Sequence, residues 1–173
     1  MSGVDKVNRY GFTIVELLIV IVVIGILAAI SIVAYSGIQD RANDMAIKND
    51  LANIAKKYEL FKVDHGRYPN TASEFPGLDL SVSKSAYYTP DDRYNLVPCS
   101  RSSGSEYSVT AIGKSGKRFY VSNGSSVQEY TGAQSWTDTT SNYTFMCTST
   151  LTGSSVVSSS SGFAHGAWRN WTN

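Results

Sequence analysis

An uncharged apolar run near the N-terminus constrains this chain more than any other feature. No charged side chain occurs between Leu17 and Tyr35, and Ser31 is the clearly polar residue within that run. As an α-helix the run is about 28 Å long, which is enough to cross the hydrocarbon core of a membrane. Glu16, a carboxylate, stands directly before it. Lipid or other protein must cover such a helix, and the glutamate at its start needs an explanation.

Three interpretations of the run compete: a secretory signal, a transmembrane anchor and a buried core helix. A core helix of this kind needs more surrounding protein than the rest of the chain offers. The stretch "ISIVAYSG" is only a weak match to a signal cleavage site, and the run continues without a breaker into an amphipathic pattern. The anchor is therefore favoured. Lys6 and Arg9 precede it, which indicates a cytoplasmic N-terminus and an exported C-terminal part.

The absence of proline between Met1 and Tyr68 predicts one helix from Phe12 to Asp64. Its second half is amphipathic, because one face carries a stripe of apolar residues with spacings of four and three: Ile47, Leu51, Ile54, Tyr58 and Phe61. Gly66 can adopt the left-handed conformation that ends a helix, and Pro69 prevents the helix from resuming.

The stretch "EYSVTAIGKSGKRFYVSNGSSVQEYT" predicts three antiparallel strands, with a hairpin turn at Asn123-Gly124. Its β-favouring residues fall in pairs: Tyr107 and Val109, Phe119 and Val121, Val127 and Tyr130. One face of these strands can cover the apolar stripe of the helix, which gives an α+β fold: a long N-terminal helix packed on a small antiparallel sheet. The Ser/Thr-rich stretch Thr148–Gly162 is predicted to be exposed loop. Beyond it, three aromatic residues are expected to dock onto the head: Phe163, Trp168 and Trp171.

The two cysteines, Cys99 and Cys147, both lie in the exported part. An even count in an oxidising compartment favours a disulfide between them, and two buried free thiols are the alternative. Charge is nearly balanced, with 15 basic and 14 acidic side chains, which argues against a nucleic-acid surface built on bulk charge.

Candidate chemical sites are few. His65 and His165 do not have the spacing of metal ligands, and His65 suits a helix C-terminus. Asp91 and Asp92 are adjacent with no further ligands in series, which is typical of a solvated turn. No nucleophile, base and acid can be grouped, so we expect no enzyme, no cofactor and no metal site.

The N-terminal stretch resembles type IV prepilins and the related pseudopilins. The matching residues are Gly11, Phe12, Thr13, Glu16 and the apolar run, and "GRYP" at 66–69 is a weaker match. The resemblance implies that a membrane peptidase cuts after Gly11 and methylates Phe12. Residues 1–11 are then a leader, 12–37 a transmembrane and polymerisation segment, 38–65 an amphipathic helix and 66–173 an exported head. Some relatives carry a C-terminal disulfide loop, and the cysteine pair resembles it.

The same resemblance suggests what Glu16 does. Cleavage creates an α-ammonium at Phe12, and the ammonium of an incoming subunit can pair with Glu16 of an assembled one, which sets the register of two apolar helices. A carboxylate that merely snorkels at the membrane edge is the alternative, and it leaves Gly11 unexplained.

The implied function is that of a pilin, which moves from the cytoplasmic membrane into an extracellular type IV pilus for adhesion, motility or DNA uptake. The implied partners are other copies and other pilins, the prepilin peptidase, an inner-membrane platform protein, an assembly ATPase and lipid. A surface or DNA ligand is left unidentified. A pseudopilin of a secretion or competence system is one alternative function, and a monomeric membrane-anchored binding module is another. Gly11 and Glu16 count against the module, because a simple anchor needs neither residue.

Overall fold

The first element is one long helix, α1, which spans Ile14–His65. The computed structural model describes residues 11–89, 95–132, 143–151, 156–158, 163–164, 167–168 and 172. The helix is unbroken, as the absence of proline predicts, although it begins at Ile14 and not at Phe12. It ends where expected: Gly66 has a φ of 72° and its N–H donates to the carbonyl of Lys62 at 2.8 Å.

The chain divides into two compact units, Met1–Gln39 and Asp40–Asn173. In the first unit every described side chain of the helix is exposed. Nearly all of the leader predicted over residues 1–11 lies outside the described residues; only Gly11 is inside them. The second unit holds the rest of α1, the sheet and the C-terminal elements.

The second unit is built on a five-stranded antiparallel sheet with the strand order β4-β3-β2-β1-β5. The strands are β1 (Leu96–Arg101), β2 (Tyr107–Ile112), β3 (Arg118–Ser122), β4 (Gln128–Glu129) and β5 (Val156–Ser158). β2, β3 and β4 are the three predicted strands. The predicted hairpin turn between β3 and β4 is also present, because Asn123 and Gly124 both have positive φ, 44° and 70°.

Two strands of the five-stranded sheet and the short helix beside it differ from the predictions. β1 was not predicted, since Pro98 and Cys99 interrupt its run of β-favouring residues. The prediction of loop across Thr148–Gly162 is wrong at both places where that stretch is structured. A short helix, α2, covers Tyr143–Thr150, and β5 pairs with β1. The remainder of that stretch, apart from Leu151, lies outside the described residues.

The apolar stripe of α1 packs on the sheet, as predicted. Ile47, Leu51, Ile54 and Tyr58 are buried, and Phe61 is partly buried at the edge of the same cluster. The sheet residues of this cluster come from the face that meets α1: Leu96, Tyr107, Val109, Ala111, Phe119 and Val121. The α+β prediction is therefore confirmed.

The opposite face of the sheet is covered as well. There a smaller cluster joins the sheet to α2 and the residue after it: Val97, Cys99, Ile112, Cys147 and Leu151. Cys99 and Cys147 form a disulfide within this cluster, closing a loop with a sequence separation of 48. As a result, every residue of β2 is buried, on both faces of the sheet.

The C-terminal aromatic residues return to the head in part as predicted. Trp168, in the short hairpin of β6 (Phe163–Ala164) and β7 (Ala167–Trp168), is half-buried with its ring edge-on to Tyr87 at 5.4 Å between centroids. Thr172 is buried and forms a parallel bridge with Leu80. The predicted contact of Trp171 lies outside the described residues.

We expect the disulfide to make a large contribution to the stability of the head. In the chain-entropy account, a closed loop of this size stabilises the folded state by about 4 kcal/mol, with native strain reducing that figure. The Cys99→Ala/Cys147→Ala variant should lower the free energy of unfolding by about 2–4 kcal/mol, measured by guanidinium titration of tryptophan fluorescence on the full chain in detergent. Wild-type protein treated with a reductant should match the variant. Equal unfolding midpoints for oxidised wild type and variant would contradict the expectation.

Candidate functional site

The first unit presents an apolar surface that nothing in the described chain covers. Among the large apolar side chains described between Phe12 and Ile38, Val23 is the least exposed, at 48%. By length and composition α1 is the one helix in the described part of the chain that is suited to cross a membrane. An exposed apolar surface of this extent is far beyond what a soluble monomer tolerates, so an external partner must cover it.

Glu16 lies in the first turn of α1 and is held there by Thr13. One carboxylate oxygen of Glu16 accepts hydrogen bonds from the Thr13 backbone N–H at 2.8 Å and from the Thr13 hydroxyl at 2.7 Å. In return the Thr13 hydroxyl oxygen accepts the backbone N–H of Glu16 at 3.2 Å. This reciprocal arrangement is a capping box, and it satisfies otherwise unpaired N–H groups at the start of a helix.

Thr13 has a role in the site that the sequence analysis does not predict. There it belongs only to the N-terminal resemblance, with no role of its own. The signal was present, since a threonine followed three residues later by a glutamate, just before an apolar run, is the sequence pattern of a capping box. The capping box explains how α1 begins, but many other residues can cap a helix, so it does not by itself account for a carboxylate beside the apolar run.

The peptide bond between Gly11 and Phe12 lies before the first turn of α1. Both residues are exposed and neither is helical. A Cβ added at Gly11 would meet no atom of this chain within 4 Å. Folding of the chain therefore imposes no glycine at position 11, and any requirement for glycine there must come from a molecule that recognises this bond.

The "GRYP" segment at the end of α1 has a structural role in the head. The Arg67 guanidinium donates to Glu74, with Nη2 2.5 Å from Oε1 and Nη1 3.3 Å from Oε2. Glu74 also accepts the backbone N–H groups of Asn70 and Thr71, at 2.9 and 3.1 Å. Burial alone would raise the pKa of Glu74, but these donors outweigh it and lower the pKa to about 2. The ion pair therefore fixes the loop that follows the helix.

A second carboxylate anchors α1 to the next part of the same loop. Asp50 is buried and accepts the backbone N–H of Ser83 at 2.7 Å, the Ser83 hydroxyl at 3.2 Å and the Tyr87 hydroxyl at 3.1 Å. Burial raises the pKa of Asp50, and the hydrogen bonds from Ser83 and Tyr87 only partly oppose this. These groups hold a loop in place, and none of them is arranged as a nucleophile with its base.

The other candidate residues do not form a chemical site. The His65 ring stacks on Phe61 at 3.9 Å between centroids, with Nδ1 3.0 Å from the Phe61 carbonyl, as suits the last turn of a helix. Among the described residues there is no group of three or more metal-ligating side chains. His165, Asp91 and Asp92 lie outside the described residues.

Comparisons with known proteins agree with what the N-terminal residues indicate. Residues 6–32 match the prokaryotic N-terminal methylation motif. The chain is 29% identical over 119 residues to the Type II secretion system core protein G of Klebsiella michiganensis, an alignment that covers 68% of this chain and 84% of that protein. It is 35% identical over 77 residues to the protein of the same name from Pseudomonas aeruginosa, covering 44% of this chain and 52% of that protein.

A pilus protein is also among the relatives. The chain is 37% identical over 73 residues to the Type IV wide pilus major component PilA4 of Thermus thermophilus, covering 42% of this chain and 56% of that protein. The chain thus spans about half the length of the Pseudomonas and Thermus relatives. The long α1 and the sheet head form a pilin-like α+β fold, and the N-terminus carries the prokaryotic methylation motif. The predicted resemblance to type IV prepilins and pseudopilins is confirmed, and both branches occur among the relatives.

The lowered pKa of Glu74 generates a pH prediction for the head. Because the folded-state pKa lies below the ordinary value of 4.5, the Glu74 carboxylate stabilises the head fully above about pH 4.5. That contribution is lost as the pH falls toward 2. Arg67 is 38% exposed and Glu74 17%, so solvent screening limits the effect to about 1–2 kcal/mol.

The Glu74→Gln variant should therefore be less stable than wild type at pH 7, and its free energy of unfolding should fall less between pH 5 and pH 2.5. Asp50→Asn is a suitable control, because a raised carboxyl pKa makes the opposite contribution and its loss should steepen the acid-induced fall. Urea titrations at each pH measure both. Parallel pH profiles for wild type and Glu74→Gln would rule out the stabilising role of this ion pair.

Proposed function

We propose that this chain is the structural subunit of a type IV pilus, polymerising through the first part of α1. The single observation that carries the proposal is the exposed apolar helix that begins with Thr13 and Glu16 immediately after a Gly-Phe bond. A membrane covers such a surface before assembly, and neighbouring copies of the same helix cover it afterwards. Adhesion, motility and DNA uptake are the roles that a surface filament of this class serves.

Glu16 acts in this proposal as the residue that sets register. Cleavage after Gly11 places the new α-ammonium of Phe12 at the entry to α1. Where that ammonium meets Glu16 of an assembled subunit, it donates a charge-assisted hydrogen bond to the carboxylate, in addition to the two that Thr13 donates. Two smooth apolar helices can slide past each other, so one ion pair at a defined height selects a single axial offset. The capping box keeps the carboxylate oriented while the subunit waits in the membrane.

The remaining partners follow from the resemblance. A prepilin peptidase recognises Gly11 and Phe12, cuts between them and methylates the new N-terminus. An inner-membrane platform protein and an assembly ATPase extract the subunit from lipid and add it to the base of the filament. The N-terminus is then cytoplasmic before assembly and the head is exported. This is structural work, and the proposal includes no enzymatic reaction and no cofactor.

A pseudopilin of a type II secretion or competence system is the second candidate. It is favoured by the relatives named as core protein G, one of which is aligned over 84% of its length. The pilus is favoured by the C-terminal section, in which a disulfide ties α2 to β1 and β5 pairs with β1, as suits a head exposed at the cell surface. The pilus and the pseudopilus can be distinguished by shearing surface filaments from the native organism and identifying their subunits by mass. This chain should be found in them if it is a pilin, because a pseudopilus is not shed as long surface fibres.

Processing at Gly11 is the first expectation of this proposal. The mature subunit should begin at N-methylated Phe12, shown by intact mass and N-terminal peptide sequencing. Replacing Gly11 with leucine should leave full-length precursor in the membrane, while the head folds and its disulfide forms as in wild type. Assembled subunits that retain Met1 or Ser2 would contradict cleavage after Gly11.

The register role of Glu16 has a matched control in Ser31, another polar side chain of the same apolar segment, whose hydroxyl donates to the Leu27 carbonyl at 2.8 Å. Glu16→Val should be processed normally, because the peptidase reads the Gly-Phe bond, but filament yield should fall at least tenfold, roughly the effect of losing one buried ion pair. Ser31→Val should assemble normally. Yields are measured by immunoblot of sheared filaments. Equal yields from Glu16→Val and wild type would exclude the register role.

A further inference from the structure

The turn between β3 and β4 contains the one Asn-Gly pair of the chain, Asn123-Gly124. An asparagine in front of a glycine is chemically vulnerable. The glycine has no side chain to hinder its own backbone nitrogen from attacking the carboxamide carbon of the asparagine. Both residues are exposed to water. Whether this reaction occurs therefore depends on the conformation in which the fold holds the two residues.

The turn holds the main chain in an unreactive conformation. Asn123 and Gly124 both have positive φ, 44° and 70°, and the Ser125 N–H donates to the Ser122 carbonyl at 2.8 Å across them, as in a type I′ turn. The first central residue of such a turn has a ψ of about +30°, the mirror image of a type I turn. At that ψ the Gly124 nitrogen is turned nearly opposite to Cβ of Asn123, so it cannot reach the carboxamide carbon.

The side chain of Asn123 is held as well. Its Oδ1 accepts the backbone N–H of Tyr107 at 2.9 Å, which ties the turn to the first residue of β2. Tyr107 is fully buried in the cluster between α1 and the sheet, so this donor is fixed in place. Attack on the carboxamide requires both the main chain and the side chain of Asn123 to rotate, and the closed turn opposes both rotations.

We propose that Asn123 is a site of spontaneous deamidation, which the folded turn blocks and opening of the β3–β4 hairpin permits. In the open hairpin the Gly124 nitrogen forms a bond to Cγ of Asn123 and gives up its proton. The side-chain amide nitrogen takes a proton and leaves as ammonia, which produces a five-membered succinimide. Water then opens this ring at either carbonyl and leaves aspartate or isoaspartate at position 123.

The β3–β4 hairpin is suited to open while the rest of the head stays folded. β4 consists of two exposed residues at the edge of the described sheet. Between the turn and β4, Ser125 and Ser126 are exposed, and Val127 is partly buried against the main core. Short edge elements with little burial open at a lower free energy than the core. Isoaspartate adds a methylene to the main chain, so we expect that product to prevent the two-residue turn from closing again.

The full chain in detergent provides the first test. Wild-type protein is incubated at mildly alkaline pH, folded in one sample and unfolded in guanidinium in another, and peptide mapping by mass spectrometry follows conversion of the Asn123 amide to a carboxylate. The folded chain should react at least roughly tenfold more slowly. Asn53, which precedes an isoleucine, is the internal control and should stay intact in both samples. Equal rates in the two samples, or no conversion of Asn123 in the unfolded chain, would overturn the proposal.

A substitution in the hairpin provides the second test. Val127→Ser weakens the apolar contact of the hairpin without changing Asn123 or Gly124, and it should raise the rate of deamidation roughly threefold or more. The intact Cys99–Cys147 bridge and native tryptophan fluorescence should show that the head remains folded. Val63→Ser is the matched control, because Val63 is 81% exposed on α1, and it should react at the wild-type rate. A folded Val127→Ser protein that reacts no faster than wild type would overturn hairpin opening as the controlling step.

Discussion

The packing of one stripe of α1 against the sheet is the interaction on which the rest of the head depends. Ile47, Leu51, Ile54 and Tyr58 are all buried, and the cluster they form includes apolar side chains of β2 and β3, among them Tyr107 and Phe119. An isolated two- or three-stranded sheet is marginal in water, so the strands need this helix as much as the helix needs them. Once α1 is in place, the Asp50 and Arg67–Glu74 contacts can fix the loop that follows it.

The parts of this fold that the sequence predicts are those with a local cause. The helix has no internal proline, its second half has a regular apolar spacing, and Gly66 ends it in the conformation that glycine permits. The hairpin at Asn123-Gly124 is equally local, because both residues must adopt positive φ. The N-terminal site is local as well: the pattern of Thr13 and Glu16 predicts a capping box, although only the glutamate was singled out from the sequence.

The parts that could not be predicted depend on partners distant in the chain. β1 contains Pro98, and a proline is tolerated there because its nitrogen, which has no hydrogen, is not needed as a donor in the ladder. The strand gains its second neighbour only from β5. β5 itself is a short segment in a serine-rich stretch with no alternation to mark it. α2 is held against the back of the sheet through Cys147 and Leu151. This placement depends on the disulfide to Cys99, which is 48 positions away in the sequence, and not on a local hydrophobic pattern.

The two parts of α1 show how one helix can be suited to different surroundings. Up to Ile38 its apolar side chains point in all directions, so no single face can satisfy them and the cover must surround the helix, as lipid or a bundle of copies does. Beyond Asp40 the apolar residues narrow to the buried stripe, with Met45, Leu60 and Val63 as exposed exceptions. Within the first part Gly25 and Gly37 each cost about 1 kcal/mol relative to alanine, whereas a proline would cost about 3. In lipid that cost is tolerated, because unwinding would leave backbone groups unpaired. The helix can therefore stay continuous wherever lipid surrounds it, and the capping box of Thr13 and Glu16 satisfies backbone N–H groups at its N-terminal end.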